Sequence, residues 1–189
     1  ETSAAVTISG GTLNVNGVDS HAIYAGGNIE ISDATVNATG AGDYSAGIVT
    51  DGGDIIINSG EVTVDSQGYG LNARGGNVCI NGGTVSVKSE QYGVNTRNGD
   101  SLTIRGGTVT IEAGTRLIMN SSDKVVIAPQ DGAKITVEVG NSKNNVKEIE
   151  GSPFGSQEDI RDHINDDEDK YFHSETSGAT SPAITNVTV

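Results

Sequence analysis

The stretch Ile55-Ile-Ile-Asn-Ser-Gly-Glu-Val-Thr-Val64 is answered 23 residues later by Val78-Cys-Ile-Asn-Gly-Gly-Thr-Val-Ser-Val87, with the same residue classes at matched positions. Each copy holds two short runs in which buried-type residues fall at every second position, the period of a strand with one buried face, joined by a glycine turn. The pattern extends both ways along the chain. Val6 and Ile8, Ile29 and Ile31, Leu102 and Ile104, and Val125 and Ile127 head four more copies, and the six starts are 23, 26, 23, 24 and 23 residues apart. A second column pairs Leu13 with Val15, Val36 with Ala38, Val62 with Val64, Val85 with Val87, Val109 with Ile111 and Ile135 with Val137. A third reads Ile23, Ile48, Leu71, Val94 and Ile118. Helical spacing is absent.

A fixed period of this length marks stacked units. Three strands per circuit of roughly 23 residues predict an all-β fold, a parallel β-helix (solenoid) of about six three-strand rungs over residues 1–140, each rung hydrogen-bonded to the next. An antiparallel sandwich would not require the same residue class to recur at matched positions six times. The low aromatic content (4%) suits a narrow interior filled by Val, Ile and Leu. Paired glycines such as Gly10-Gly11, Gly52-Gly53 and Gly82-Gly83 are expected at corners that need positive φ.

The periodicity stops near Gly140, and residues 141–189 are expected to form a C-terminal cap and linker. Ser156-Gln-Glu-Asp159 has the form of a helix N-terminus, with Ile160 and Ile164 four apart on one face, so a short helix is expected over 157–165. A solenoid end exposes an unpaired sheet edge that must be covered. The outward positions of the first column, Thr7, Glu30, Ile56, Cys79, Thr103 and Val126, are half apolar and offer this tail a surface to dock on.

Composition narrows the function classes. The 189 residues carry 11 basic and 25 acidic side chains, a net charge of −14, which argues against a nucleic-acid partner because phosphate binding needs clustered Lys and Arg. No apolar run approaches the roughly 20 residues that cross a bilayer, so membrane insertion is not expected. The lone Cys79 offers no internal disulfide. Charge is uneven: residues 1–73 hold nine carboxylates and no Lys or Arg, whereas 74–140 hold seven cations and six carboxylates. The acidic half either keeps the rod soluble or attracts cations.

Candidate binding residues flank the third column. Tyr24, Val49, Asn72, Asn95 and Met119 fall at equivalent positions, and Asp51, Arg74 and Arg97 follow two residues later. Stacked rungs would set these about 5 Å apart as a row of amide and guanidinium donors beside an aromatic ring, a chemistry that suits polysaccharides. The other reading is a structural Asn ladder with an Asp51–Arg74 pair bridging rungs. Tyr69 and Tyr92 align one rung apart and form either a platform for sugar rings or a cover over the core corner. Catalytic signals are poor: His21, His163 and His173 lack a nucleophile at a recognisable spacing, and the Gly pairs repeat as turns. Turns such as Asp51-Gly-Gly-Asp54 do not match a twelve-residue Ca²⁺ loop, and no cofactor is expected from the residues themselves.

The repeat Ile-x-Ile-x-Gly-Gly-x-Val-x-Val over residues 6–139 resembles bacterial cell-surface right-handed parallel β-helix proteins, and is similar to carbohydrate-binding modules of the pectate-lyase-like superfold in Gram-positive anaerobes. The resemblance implies binding of acidic plant polysaccharides, often with Ca²⁺ held by an Asp-Asp-Gly-Ile-like turn before the third strand. Here the equivalent positions are Gln67-Gly-Tyr-Gly-Leu71 and Glu90-Gln-Tyr-Gly-Val94. It also implies, for lyase relatives, proton abstraction beside a uronate carboxylate, for which Asp51, Arg74 and Arg97 are the stacked group of suitable composition. The expectation is a noncatalytic module that binds polysaccharide or a host or cell-surface glycan, secreted, and part of a larger multidomain surface protein. A uronate lyase and a structural spacer are the alternatives.

Overall fold

The structure, a computed structural model, describes residues 3–96 and 102–113 with their side chains, and the strands at 116–120, 125–127, 134–139, 147–150, 172–174 and 186–187 by their backbone. The first circuit contains β1 (Val6–Ser9), β2 (Thr12–Gly17) and β3 (Ile23–Ala25); the second β4 (Ile29–Ser32), β5 (Ala34–Gly40) and β6 (Ala46–Asp51). The third contains β7 (Ile55–Ile57), β8 (Gly60–Ser66) and β9 (Tyr69–Arg74), and the fourth β10 (Val78–Ile80), β11 (Thr84–Ser89) and β12 (Tyr92–Thr96). Leu102–Ile104 and Thr108–Ala113 continue as β13 and β14. Every third strand pairs in parallel, so the chain winds an all-β parallel solenoid of about four turns with three sheets and, among the described residues, no helix. The sixth rung and the helix expected over 157–165 lie outside the fully described residues. Past Gly140, Lys147–Glu150 pairs antiparallel with Lys134–Val139, and Phe172–Ser174 and Asn186–Val187 add parallel to Arg116–Asn120 and Val125–Ile127.

The register is the one the repeat demands. Ile31 lies against Ile57, Ile57 against Ile80 and Ile80 against Ile104, while Val36, Val62, Val85 and Val109 stack in the second sheet and Ile48, Leu71 and Val94 in the third. These tiers are fully buried and form one continuous core. Each such side chain contributes roughly 1.5–3 kcal/mol by leaving water. On the outer face of the first sheet, Glu30 is exposed, Ile56 and Cys79 are half-buried, and Thr103 is buried.

The glycine pairs do two jobs where positive φ alone was expected. Gly52 and Gly75 take φ of 103° and 94°, the conformation that turns the corner. Gly53 and Gly76 are needed for closeness: a Cβ would lie 2.2 Å and 2.1 Å from backbone atoms of the rung beneath.

Polar side chains stack as well, and the hydrogen bonds given by their amide and guanidinium groups share one direction. Arg105 donates to Asn81 Oδ1 (2.9 Å), Asn81 Nδ2 to Asn58 Oδ1 (2.8 Å), and Asn58 Nδ2 to Glu30 Oε1 (2.8 Å). The row runs from a guanidinium at its later end to a carboxylate at its earlier end. Asn37 donates to Asn14, and Asn77 to Asp54, in the same sense.

Ile57→Ala is expected to cost about 2–5 kcal/mol, because the tiers above and below it are held apart by the ladder and cannot collapse into the hole. Ile56→Ala, one residue away on the half-buried outer face, should cost a fraction of that; urea denaturation midpoints of the two variants measure the contrast.

Candidate functional site

The parallel ladder forces equal strand spacing in successive rungs, so any extra residue must be expelled at a corner. The corner from the second sheet to the third runs six residues from Gly17 to Ile23, eight from Gly40 to Ile48, and five from Ser66 to Leu71 and from Ser89 to Val94. The two long corners are neighbours, and they bound an open cleft of about 500 Å³ with Asp19, Ser20 and His21 on one side and Gly42 to Ser45 on the other.

The longer loop is braced from the short-cornered rungs. Gln67 Oε1 accepts the Gly42 N–H, and Gln91 Nε2 donates to the Asp43 carbonyl oxygen at 2.9 Å. The Ser45 N–H closes the turn onto the Gly42 carbonyl (2.9 Å), and Gly42 lies so near Asp19 that a Cβ would be 3.4 Å from the Asp19 Cα. Asp19 itself adopts φ of 55°, an uncommon conformation for a residue with a Cβ. Three large apolar side chains stand exposed among the described residues, Val18 (72%), Tyr24 (54%) and Tyr44 (80%), and all three belong to these two corners or to β3 leaving the first.

His21 joins the cleft to the third sheet. Its Nδ1 accepts the Ala46 N–H at 2.9 Å, and its ring stacks on Tyr24 with centroids 6.3 Å apart and planes 16° from parallel. Tyr24 is in register with Val49, and its hydroxyl donates to Asp51 Oδ2 at 3.0 Å. Arg74 donates to Asp51 Oδ1 at 3.3 Å, with both side chains 42% exposed. An exposed pair of this kind is worth little stability. Its effect is to hold the Tyr24 ring upright through Asp51. The hydrogen bond to Asp51, then the carboxylate charge, raises the Tyr24 hydroxyl above its ordinary range. Burial first, and then the Arg74 guanidinium, hold the His21 imidazole below its usual pKa, against a smaller upward pull from Asp51.

Of the residues read from the sequence as a binding row, the structure brings Tyr24, Asp51 and Arg74 together at the surface. Tyr69 and Tyr92 stack on each other at 5.0 Å and 22°, both half-buried. The expected outward row from Val49 through Asn72 to Asn95 is corrected: Val49 is wholly buried, Asn72 is 1% exposed and Asn95 5%, with Asn95 Nδ2 donating to Asn72 Oδ1 at 2.8 Å. A buried amide must be satisfied by protein, so these two serve the ladder and present no free donor to a ligand. Arg97 lies outside the described residues. Asp19, Asp43 and Tyr44 were missed, although the single 26-residue spacing among the 23s and 24 marks the rung that carries the longest loop. Among the described residues no three of His, Cys, Asp and Glu gather as ligands for a metal ion. Burial raises the Cys79 thiol pKa, which keeps it protonated and a poor nucleophile.

A family model matches residues 2–152, four fifths of the chain, and its description is carbohydrate-binding domain-containing protein. The chain belongs to the carbohydrate-binding domain-containing family. No curated protein and no solved structure matches it. Within this family member, the exposed rings and acceptor side chains at the two long corners are the chemistry by which proteins hold sugars: an aromatic face for the C–H side of a pyranose, and carboxylates for its hydroxyls.

Asn72→Ala is expected to lower the denaturation midpoint by the equivalent of about 1–3 kcal/mol, because it removes a buried acceptor from Asn95. The His21 linkage has a definite sign: a folded-state pKa below the unfolded value leaves stability intact above about pH 6.5 and removes it as pH falls from there through the folded pKa. Denaturation midpoints measured from pH 8 to 5, in parental protein and in His21→Gln, should differ in slope only below about pH 6.5.

Proposed function

We propose that this chain is a noncatalytic carbohydrate-binding module, and that the glycan lies along the corner built by Tyr24, Asp51, Arg74 and the Asp19–Tyr44 cleft. The observation that carries the reading is the clustering of Val18, Tyr24 and Tyr44, the exposed large apolar side chains of the described residues, beside a braced cleft with carboxylates and a clamped ring. Apolar side chains held out in water at one place mark a contact surface. The stacked Tyr69 and Tyr92 extend the aromatic surface along the same corner of the later rungs. Asn72 and Asn95 act from beneath, by fixing the strands that carry Tyr69, Tyr92 and Arg74.

The wider setting belongs to the same proposal: a right-handed, pectate-lyase-like β-helix of six rungs, capped by residues 141–189, carried on a secreted or cell-surface protein with further domains and used for adhesion to polysaccharide. The polar Thr, Ser, Asn and Gly bias and the resemblance of the repeat support that setting. Against a lyase stands the state of the expected basic group: Arg74 is engaged with Asp51, and a guanidinium has no acceptor site for a proton.

A glycan-array screen followed by titration calorimetry should find saturable binding without release of unsaturated uronate products. Tyr24→Ala should weaken the affinity about tenfold or more, by loss of ring stacking, while Thr63→Ala on the outer face of β8 leaves it unchanged. Absence of binding to every glycan class, with the protein folded by circular dichroism, would leave the spacer reading in its place.

A further inference from the structure

The sign of the field at this corner selects among sugars. We propose that the Asp19–Asp43 cleft takes a glycan bearing free amino sugars, whose ammonium groups pair with the two carboxylates, in preference to uronates. The inference rests on the carbohydrate reading of the same site and specifies its ligand class.

Its first ground is the charge on the elements that build the cleft. The first 73 residues carry nine carboxylates and no Lys or Arg, and both long corners fall within that span, with Asp19 on one wall and Asp43 on the other. A cleft lined by charge of one sign concentrates ions of the opposite sign and repels its own. The Arg74 guanidinium is engaged by Asp51, and the half-buried His21 imidazole resists taking a proton. A uronate carboxylate entering here would meet two carboxylates and no unengaged cation among the described residues. The amino group of a hexosamine meets acceptors matched in charge and in donor number.

The second ground is geometric. The cleft holds its form through hydrogen bonds from two later rungs, Gln67 to the Gly42 N–H and Gln91 to the Asp43 carbonyl, so the Asp43 backbone is fixed before any ligand arrives. Preorganised acceptors lose little entropy on binding. Tyr44 lines the cleft and Tyr24 stacks on His21 of its other wall, and each exposed ring presents an aromatic face of the kind that attracts a cation as well as a sugar ring.

The test is calorimetric titration of the whole chain, in EDTA, with glucosamine oligomers, with the same oligomers fully N-acetylated, and with galacturonate oligomers of equal length. The amine form should bind about tenfold tighter than the N-acetylated form, the gap should narrow as salt is raised, and galacturonate should be the weakest. Asp19→Asn with Asp43→Asn should remove most of the gap. Glu61→Gln with Asp65→Asn, which deletes the same two charges from the outer face of β8, should leave it intact; equal loss in both double variants would show diffuse attraction to an acidic rod and overturn the site. Equal or tighter binding of the N-acetylated form overturns the proposal, as does a preference for galacturonate, with EDTA or with added Ca²⁺. Failure of all three sugars, and of a wider glycan panel, would remove the carbohydrate reading itself and this inference with it.

Discussion

The structure depends on one constraint, the parallel hydrogen-bonded ladder that sets each rung directly on the last. Because backbone N–H and C=O groups of one circuit are satisfied by the next, strand positions must keep register, and equivalent side chains are carried into the same tier. The Ile31–Ile57–Ile80–Ile104 tier follows from that, and so does the need for glycine where the backbone of one corner rests on another at Gly53 and Gly76. Variation in rung length has nowhere to go within the strands. The three extra residues of the longest rung are collected at the corner between the second and third sheets, and the candidate site is built around them.

The same stacking organises charge. The amide and guanidinium groups of side-chain rows on the outside of the solenoid donate toward the earlier rung, so such a row ends well when its first member is a carboxylate and its last a guanidinium. Glu30, Asn58, Asn81 and Arg105 form such a row, and Asp51 with Arg74 forms the shortest one. Chains of aligned amides polarise one another, and a charge of the right sign at each end strengthens the alignment. This gives a structural cause for part of the division of acids and bases along the sequence. It leaves Asp19 and Asp43 unexplained, since neither joins a side-chain row and both line the cleft.

Membership in a carbohydrate-binding domain-containing family names a role, and the surface proposed for that role is the one the long corners build. The family match covers residues 2–152, the two corners fall in its first third, and the exposed rings of the described residues are concentrated there. Tyr24 links the elements: its ring touches His21 of the cleft, its hydroxyl is held by Asp51, and Asp51 is held by Arg74. A ligand lying across Tyr24 would therefore span three successive rungs, as an extended polymer on a repeating scaffold requires.

The sequence by itself determined the all-β solenoid, the three columns and their register, because a period of 23 to 26 residues with apolar side chains at fixed offsets admits no other way to bury all of them together. It also determined that Tyr24, Asp51 and Arg74 would be neighbours, since alignment of the columns converts sequence offset into distance. What it left open was which flank of a strand reaches water: alternation marks two faces, and only packing decided that Asn72 and Asn95 are buried and paired while Tyr24 stands out. The cleft was decided by tertiary structure alone. Corners that advance six and eight positions between register points carry no periodic signal, and the contacts that fix the longer one come from Gln67 and Gln91, one and two rungs away, where no local pattern connects them.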